Sequence, residues 1–256
     1  MSVPLNLSAW LLGITSWIHQ QDIEVGMSNK LMALFAKVIT TALKENSLDF
    51  NSSKTIWLGN PVRQEILSGT KDEGSKLFNL KSDLPVVFVT GGGTGSMRVN
   101  QLIVESIQYL KDVCQVVHLT GLERPQELIE RTSKYFGDYY HAYQFFTNEM
   151  KYGYAVADIV ISRGGFGTLA ELSALGKTSI IIPKPGHQED NVKFLADAGA
   201  VIMVNEKTAN GNYLARMIKE LLLDKAKQNQ MSMQFQKLMP VAKYEDILDV
   251  LKKIIN

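Results

Sequence analysis

Residues 86–110, VVFVTGGGTGSMRVNQLIVESIQYL, join a β-branched apolar run to a glycine-rich turn and a helical pattern from Met97 to Leu110. Glycine lets a backbone approach a phosphate closely, and the free N–H groups and positive dipole end of a following helix attract anions. Tight turns also need glycine for their backbone angles, so anion binding and a simple turn both stay open here. A Walker-type site is not predicted, because no Lys follows the glycines.

Short β-branched runs recur along the rest of the chain and alternate with helical patterns. Because these runs are apolar on nearly every residue, they are typical of parallel strands covered on both faces. The sequence therefore predicts an α/β fold whose main domain, 84–240, is a Rossmann-like doubly wound parallel sheet of about six strands. The predicted strands are 85–90, 114–120, 141–146, 158–163, 178–183 and 200–204.

The N-terminal part, residues 1–67, carries too few elements for a second full sheet. Its pattern predicts a helix, a strand, a second helix and two short strands, and we interpret it as a partial domain. Residues 68–83, rich in Lys, Asp, Ser and Gly, are the expected linker, and 241–256 form a predicted C-terminal helix that packs back toward the N-terminal part. The predicted N-terminal elements are 5–12, 15–19, the segment after Gly26, 38–41 and 55–58.

Composition limits the function classes. Lys and Arg total 27 against 26 Asp and Glu, so a net charge of +1 provides no general attraction to nucleic acid, and no nucleic-acid partner is expected. The only cysteine, Cys114, lies in an apolar run and is expected to be a buried thiol in a reducing cytoplasm. The apolar stretch 9–18 is too short to cross a bilayer and lacks a preceding basic residue, so we expect no transmembrane helix and no secretory signal.

A second strand, glycine turn and helix occurs at 157–176, ADIVISRGGFGTLAELSALG. The spacing from Thr168 to Glu171 is that of a capping box, and from the residues alone we favour a cap. The alternative is that Glu171 accepts hydrogen bonds from both hydroxyls of a ribose, as acidic residues do in dinucleotide folds. Arg163 is expected either to neutralise phosphate charge or to pair with a carboxylate.

A third loop, IIPKPGHQEDN at 181–191, follows a predicted strand and opens the next helix. Loops beyond the carboxyl ends of parallel strands line the crevice in which α/β proteins bind ligands. His187, Gln188 and Asn191 offer donors and acceptors suited to sugar hydroxyls, and a solvated helix start is the equally open alternative.

The order GGGTGS, FFTNEM, ADIVISRGGFGTLAE, HQEDN and DAGA resembles the C-terminal domain of the MurG family of bacterial glycosyltransferases. IHQQDIEVGMSNK (18–30) and GNPVR (59–63) are similar to the end of that family's N-terminal domain. The resemblance implies a GT-B-type fold with one complete Rossmann-like sheet and a partial N-terminal one. It implies inverting transfer of N-acetylglucosamine from UDP-GlcNAc to a lipid-diphosphate-linked muramyl-pentapeptide, without a metal or cofactor.

The resemblance also implies roles for individual residues. The glycine turn would hold the diphosphate, the segment at 146–147 the uracil, Glu171 the ribose and the third loop the N-acetylglucosamine. Arg63 would approach the diphosphate from the other domain, and Asn29 would lie on the acceptor side. The residues implied for the UDP-GlcNAc site are Gly92, Gly93, Thr94, Gly95, Phe146, Thr147, Arg163, Gly165, Thr168, Glu171, His187, Gln188, Asn191 and Arg63.

The chain departs from the family pattern at three places. Gly93 stands where the family commonly has serine, and Gln20 stands where it has an acidic residue. The family's Gly-Gly-Thr-Gly-Gly-His acceptor loop has no counterpart before His19, so we expect the activity to need a separate N-terminal subunit or further sequence. His19 is the candidate general base, although a structural histidine is favoured.

The expected partners are UDP-GlcNAc and a lipid-linked acceptor, at a cytoplasmic or peripheral membrane location. The alternative function is a UDP-sugar-binding module or subunit that has no transfer activity of its own.

Overall fold

A computed structural model describes residues 2–255. Its chain contacts divide it into two compact units, and both contain a parallel sheet. The smaller unit holds the described residues up to Val62 together with those from Gln236 onward, and the larger unit is Arg63–Phe235.

The smaller unit contains a three-stranded sheet of order β1-β2-β3, which is parallel throughout. A helix from near the C-terminus, α11 (Tyr244–Ile255), packs on β2, where Val250 is buried with Val38 and Leu58. The other elements of this unit are α1 (Ser2–Leu11), β1 (Trp17–Gln20), α2 (Met27–Phe35), β2 (Val38–Thr41) and β3 (Thr55–Trp57).

The larger unit contains a six-stranded parallel sheet of order β6-β5-β4-β7-β8-β9. Every residue of β4, β5 and β7 is buried, as the uninterrupted apolar runs predict for strands covered on both faces. The elements are α3 (Lys71–Leu77), β4 (Val86–Thr90), α4 (Met97–Leu110), β5 (Gln115–Leu119), α5 (Glu127–Phe136), β6 (Tyr140–Tyr143), α6 (Met150–Val156), β7 (Ile159–Ser162), α7 (Phe166–Ala174), β8 (Ser179–Ile181), α8 (His187–Asp197), β9 (Ile202–Met203), α9 (Gly211–Leu223) and most of α10 (Lys225–Leu238), whose last three residues belong to the smaller unit.

The strand order fixes where a ligand site belongs. The chain moves outward from β4 through β5 to β6, and then returns to add β7 on the other side of β4. The connections therefore diverge between β4 and β7, which makes this the switch point where doubly wound sheets bind ligands, beyond the carboxyl ends of the strands. Both glycine turns of the sequence follow these two strands.

The main core lies between the sheet and its helices. Leu102, Ile103 and Ile107 of α4 are buried with Leu214 and Ile218 of α9. The expected buried thiol is confirmed, because Cys114 lies in this core and desolvation raises its pKa to about 12. A Cys114 thiol is therefore a small apolar group in this fold.

The segment predicted as a linker is structured instead. Residues 71–77 form α3, whose start is capped by the Thr70 hydroxyl and which packs against α6. A Cβ on Gly74 would lie 2.5 Å from Val156 Cγ1, so the helices are in close contact. The polar composition of this segment reflects one solvated face of a short helix rather than a flexible connection.

Every predicted run of the larger sheet extends beyond the strand that it forms, and three runs differ most. Of the run at 178–183, only Ser179–Ile181 form β8. The run at 141–146 leaves the sheet after Tyr143, and only Ile202 and Met203 of the run at 200–204 form β9. Within residues 2–255, none of the helices combines the length and the apolar character that a membrane span requires.

Candidate nucleotide-sugar site

A cavity of about 360 Å³ opens beyond the carboxyl ends of β4, β5 and β7. It therefore lies at the switch point of the larger sheet. The residues that line it are Arg63, Thr90, Gly92, Gly93, Leu119, Gly121, Gln144, Phe145, Phe146, Met150, Tyr154, Gly167, Thr168 and Glu171.

Three of the four glycines in the turn after β4 are required by packing or by backbone conformation, and one is not. Gly91 and Gly95 are required by packing, because a Cβ on Gly91 would lie 2.5 Å from Ser96 N and one on Gly95 would overlap the Thr120 carbonyl. Gly92 has a φ of +82°, a conformation that favours glycine. Gly93 has neither constraint, since a Cβ added at this position would have no atom within 4 Å. The turn is thus tightly packed on one side and open on the cavity side.

The end of this turn is held by Arg163. Its Nε donates to the Ser96 hydroxyl at 3.0 Å, while Nη1 pairs with Glu206 and donates to the Ile182 carbonyl. Ser96 is also the N-cap of α4, because its hydroxyl accepts a bond from Val99 N. Of the two roles predicted for Arg163, the structure shows the carboxylate pair, and the guanidinium positions the turn.

Glu171 does not form the predicted capping box. The N-cap of α7 is Gly165, without a side-chain hydrogen bond, and the helix has already begun at Phe166. The Glu171 carboxylate instead accepts two bonds from Arg63 at 3.0 and 2.7 Å and one from the Tyr154 hydroxyl at 3.1 Å. The cap is lost because Thr168 lies inside the helix, and the carboxylate is left facing the cavity.

Arg63 belongs to the same unit as the cavity, whereas we expected it to approach from the other domain. Its pairing with Glu171 raises the guanidinium pKa above its usual value. The positive charge therefore stays beside the glycine turn at every physiological pH.

The aromatic residues at 145 and 146 face different ways. Phe146 is 6% exposed and stacks on Phe78, with ring centroids 5.3 Å apart, so most of its surface is in the core. Phe145 is 51% exposed and also lines the cavity. Phe145 therefore offers the larger aromatic surface to a ligand, and sequence reasoning missed it.

The Thr147 backbone, expected at the uracil, has an internal partner. Its N–H and that of Asn148 donate to one oxygen of Glu149, at 2.8 and 3.0 Å. Hydrogen bonds from backbone N–H groups lower the pKa of Glu149, so this carboxylate stays charged. A ligand that binds the Thr147 N–H must displace the half-buried Glu149 side chain.

The third loop is built as a helix start. Gly186, with a φ of +102°, precedes α8, which begins at the exposed His187. The Gln188 side chain accepts a bond from Lys184 N at 3.1 Å, and Asn191 is buried. These residues do not line the cavity, and neither do Thr94, Gly95, Thr147, Arg163 or Gly165.

In the smaller unit, His19 and Asn29 line a separate cavity of about 490 Å³. His19 Nδ1 lies 2.8 Å from the Thr40 hydroxyl, and burial lowers the imidazole pKa. Asn29 donates to Gln20, whose amide group also bonds the Asp22 and Glu24 carbonyls. The Gln20 side chain thus joins Asn29 to the loop at 22–24. An uncharged amide suits this role, because its NH₂ group donates to the carbonyls while its oxygen accepts.

The sequence of this chain is similar to those of known glycosyltransferases. Residues 86–246 match the family described as "Glycosyltransferase family 28 C-terminal domain". The chain is also 33% identical, over 98% of its length and 71% of the relative's, to the UDP-N-acetylglucosamine–N-acetylmuramyl-(pentapeptide) pyrophosphoryl-undecaprenol N-acetylglucosamine transferase of Thermoanaerobacter sp. strain X514. The chain belongs to glycosyltransferase family 28.

Other relatives agree with this assignment. The enzyme of the same name from Thermodesulfovibrio yellowstonii is 33% identical over 86% of this chain and 62% of its own length. A crystal structure of MurG from Acinetobacter baumannii superposes with a TM-score of 0.76 and 23% identity, over 98% of this chain and 70% of that one. The resemblance to the MurG family and the GT-B-type fold class predicted from the sequence are therefore confirmed.

The fold alone is shared more widely. A UDP-GlcNAc 2-epimerase from Neisseria meningitidis, crystallised with UDP-GlcNAc, superposes with a TM-score of 0.71 at 15% identity, over 97% of this chain and 72% of that chain. The fold therefore does not define the reaction by itself, and the activity of the family 28 chain depends on the residues of its site.

Several residues at the cavity of this family 28 chain carried no sequence signal. Tyr154 lies in the middle of α6, and Gln144 belongs to no motif. Met150 ends the FFTNEM segment, but no role was expected for it. Gly121 had a signal, because it directly follows the β5 segment, and a Cβ there would lie 2.5 Å from Gly95 Cα. Among the residues that the structure describes, no group of three or more His, Cys, Asp or Glu side chains is placed to hold a metal ion.

Proposed function

We propose that this chain binds UDP-N-acetylglucosamine at the switch-point cavity. In this proposal it provides the donor side of an inverting transfer of N-acetylglucosamine to a lipid-diphosphate-linked muramyl-pentapeptide. The observation that carries the proposal is that an acidic side chain, Glu171, and an open glycine turn line one cavity. Family 28 membership and the names of the relatives support the donor and the acceptor.

The donor is assigned to the cavity by chemistry. The diphosphate is placed at Gly92 and Gly93, where the backbone is open, and the ribose at Glu171, which faces the same space. The base lies against Phe145, because an exposed aromatic ring at the cavity provides a stacking surface. The third loop, with His187 and Gln188 supported by Asn191, is proposed to meet the sugar hydroxyls when a donor is bound.

The transfer is a direct displacement. The acceptor hydroxyl oxygen forms a bond to the anomeric carbon, the bond to the UDP oxygen breaks with its electron pair, and the hydroxyl proton passes to a base. The negative charge that develops on UDP faces the N-termini of α4 and α7 and the Arg63 guanidinium. Fixed dipoles and charges of this kind stabilise a leaving group without reorganisation.

His19 is kept as the candidate base. Its pKa is lowered by burial, so the imidazole is neutral at pH 7 and able to accept a proton. Its hydrogen bond to Thr40 supports the structural role equally. A transfer assay on His19→Gln, together with thermal unfolding, decides between them: a base requires loss of turnover with an unchanged melting temperature.

The donor assignment is tested by calorimetric titration of UDP and UDP-GlcNAc into wild type and Glu171→Ala. We expect the substitution to weaken binding by about 1–3 kcal/mol, because ribose hydroxyls lose a buried acceptor. Glu220→Ala is the matched control, since Glu220 is an exposed carboxylate on α9. Equal affinities of Glu171→Ala and wild type would contradict the assignment.

Transfer itself is tested with UDP-GlcNAc and a lipid-linked acceptor. Release of UDP with formation of the glycosylated lipid supports the transferase. UDP-GlcNAc binding without turnover would support the alternative, a UDP-sugar-binding module that acts with another subunit.

The partner proposed for the smaller unit is a separate acceptor-side subunit. Helices α1 and α2 pack together yet leave large apolar side chains exposed, and β1 forms one edge of its sheet. Exposed apolar side chains of this size mark interaction surfaces. Co-purification with such a subunit tests this, and binding to anionic lipid vesicles without it would favour peripheral membrane contact instead. The side chains are Leu5, Trp10, Leu11, Met27, Leu31 and Leu34.

A further inference from the structure

The Glu171 carboxylate binds two side chains that differ greatly in solvent exposure. Its Oε1 accepts both bonds from Arg63 and its Oε2 accepts the bond from Tyr154. The Arg63 side chain is 60% exposed and the Glu171 side chain 13%, whereas Tyr154 is 1% exposed. The Arg63 side chain therefore lies largely in solvent, whereas Tyr154 is enclosed by the core.

The carboxylate has too few free acceptor positions for a ribose. A carboxylate offers about four lone-pair positions, and three donors already occupy Glu171. The two hydroxyls of a ribose bring two further donors. At least one bond from Arg63 must break before both hydroxyls are bound, because burial keeps the Tyr154 phenol in place and raises its pKa well above the usual value.

A diphosphate at the glycine turn would be a second partner for the Arg63 guanidinium in the same cavity. It lines the cavity together with Gly92 and Gly93, whose turn leads into the N-terminus of α4. A diphosphate held there would offer the guanidinium oxygens in a bidentate arrangement. A nucleoside without phosphates offers no such exchange, so its ribose must compete with Arg63 directly.

We propose that Arg63 is a specificity-determining residue that releases Glu171 to the ribose when a diphosphate takes over its guanidinium, and that Tyr154 positions Glu171 during this exchange. The inference rests on the proposed function, since it takes a UDP-type donor in the cavity. The consequence concerns the difference in affinity between a nucleoside diphosphate and its nucleoside. That difference is larger than the lost phosphate contacts alone produce, because the nucleoside's ribose must also displace Arg63.

The first experiment titrates UDP and uridine into wild type and Arg63→Met. UDP binding is expected to weaken by about tenfold, because the charge-assisted bonds to the diphosphate are lost. Uridine binding is expected to strengthen by about two- to fivefold, because an exposed competing ion pair is removed. Arg216→Met, an exposed guanidinium on α9, is the matched control and should change neither affinity. Unchanged or weakened uridine binding in Arg63→Met overturns the exchange.

The second experiment tests Tyr154 with UDP and its 2′,3′-dideoxy analogue. Tyr154→Phe removes only the hydroxyl, so it should weaken UDP binding and leave the dideoxy analogue unaffected. Equal losses for both ligands would show a merely structural tyrosine and overturn the positioning role.

The two proposals fail in different ways. Absence of UDP binding by the wild-type chain refutes the donor site itself. UDP binding by wild type, with uridine binding that Arg63→Met does not strengthen, refutes only the exchange.

Discussion

At the scale of single residues, the glycine turn separates two kinds of glycine. Gly91 and Gly95 are fixed by contacts with backbone atoms of the protein itself. Gly93 is free of such contacts and faces the cavity. The structure has room for a side chain at this position, because nothing lies within 4 Å of where a Cβ would stand.

The first prediction concerns Gly93→Ser. We expect this variant to fold with unchanged stability and to bind UDP more tightly by about 0.5–1.5 kcal/mol, the usual gain from one hydrogen bond. Gly95→Ser is the matched control. It should lose about 1–3 kcal/mol of stability, because its side chain would overlap the Thr120 carbonyl at a φ of +72°. Thermal unfolding and UDP titration measure both effects, and a destabilised Gly93→Ser would contradict the prediction.

At the scale of elements, the position of α4 depends on polar contacts at its start and along its buried face. Ser96 caps the helix and is held by Arg163. Farther along, Asn100 accepts a bond from His118 of β5, whose other ring nitrogen bonds the Tyr140 hydroxyl of β6. Because the Asn100 amide group donates to the Thr120 carbonyl, its oxygen is the acceptor. His118 therefore acts as a neutral donor and acceptor between three elements.

The second prediction concerns the helix cap. Ser96→Ala should cost about 1 kcal/mol of stability and should also weaken UDP binding, because the turn proposed to bind the diphosphate loses its contact with Arg163. Asn210→Ala removes the N-cap of α9, which lies away from the cavity. It should lower the melting temperature similarly while UDP affinity stays unchanged. Equal UDP affinities in wild type and Ser96→Ala would contradict this role.

The third prediction concerns acid stability. Complete burial lowers the pKa of His118 from 6.5 to about 3, so the unfolded chain binds the proton more tightly than the folded one. Its contribution to stability is therefore full above about pH 6.5 and declines as the pH falls toward 3, by up to about 1.4 kcal/mol per pH unit. Denaturant unfolding between pH 4 and 7 should show a shallower pH dependence in His118→Gln. The exposed His187→Gln is the control and should keep the wild-type slope.

At the scale of the molecule, each unit has its own sheet and its own buried cluster. The larger unit contains the complete six-stranded sheet, both glycine turns and every residue that lines the proposed donor cavity. We therefore expect the larger unit to bind the donor without the smaller unit.

The fourth prediction concerns this independence. A chain of residues 63–238, which keeps α10 complete, should unfold cooperatively and bind UDP within a factor of about three of the full chain. Calorimetry and UDP titration check both properties. A tenfold or larger loss of UDP affinity would show that the cavity depends on the smaller unit.

Local sequence patterns predicted the alternation of strands and helices, the parallel sheet and the two turns that flank its switch point. They could do so because buried parallel strands are apolar on every residue, and a turn that approaches an anion needs glycine. The same local signals failed at 68–83, where polar residues form α3, and at Thr168 and Glu171, whose spacing imitates a cap.

The partners of Glu171 depend on how distant parts of the chain pack together. Arg63 and Tyr154 lie 108 and 17 residues away along the chain, so no local pattern links them to the carboxylate. The fold also turned Phe146 inward and Phe145 toward the cavity, because a strand that ends early changes which side chain meets the core. Contacts between distant residues depend on how the elements pack, and that information is not present in any single segment.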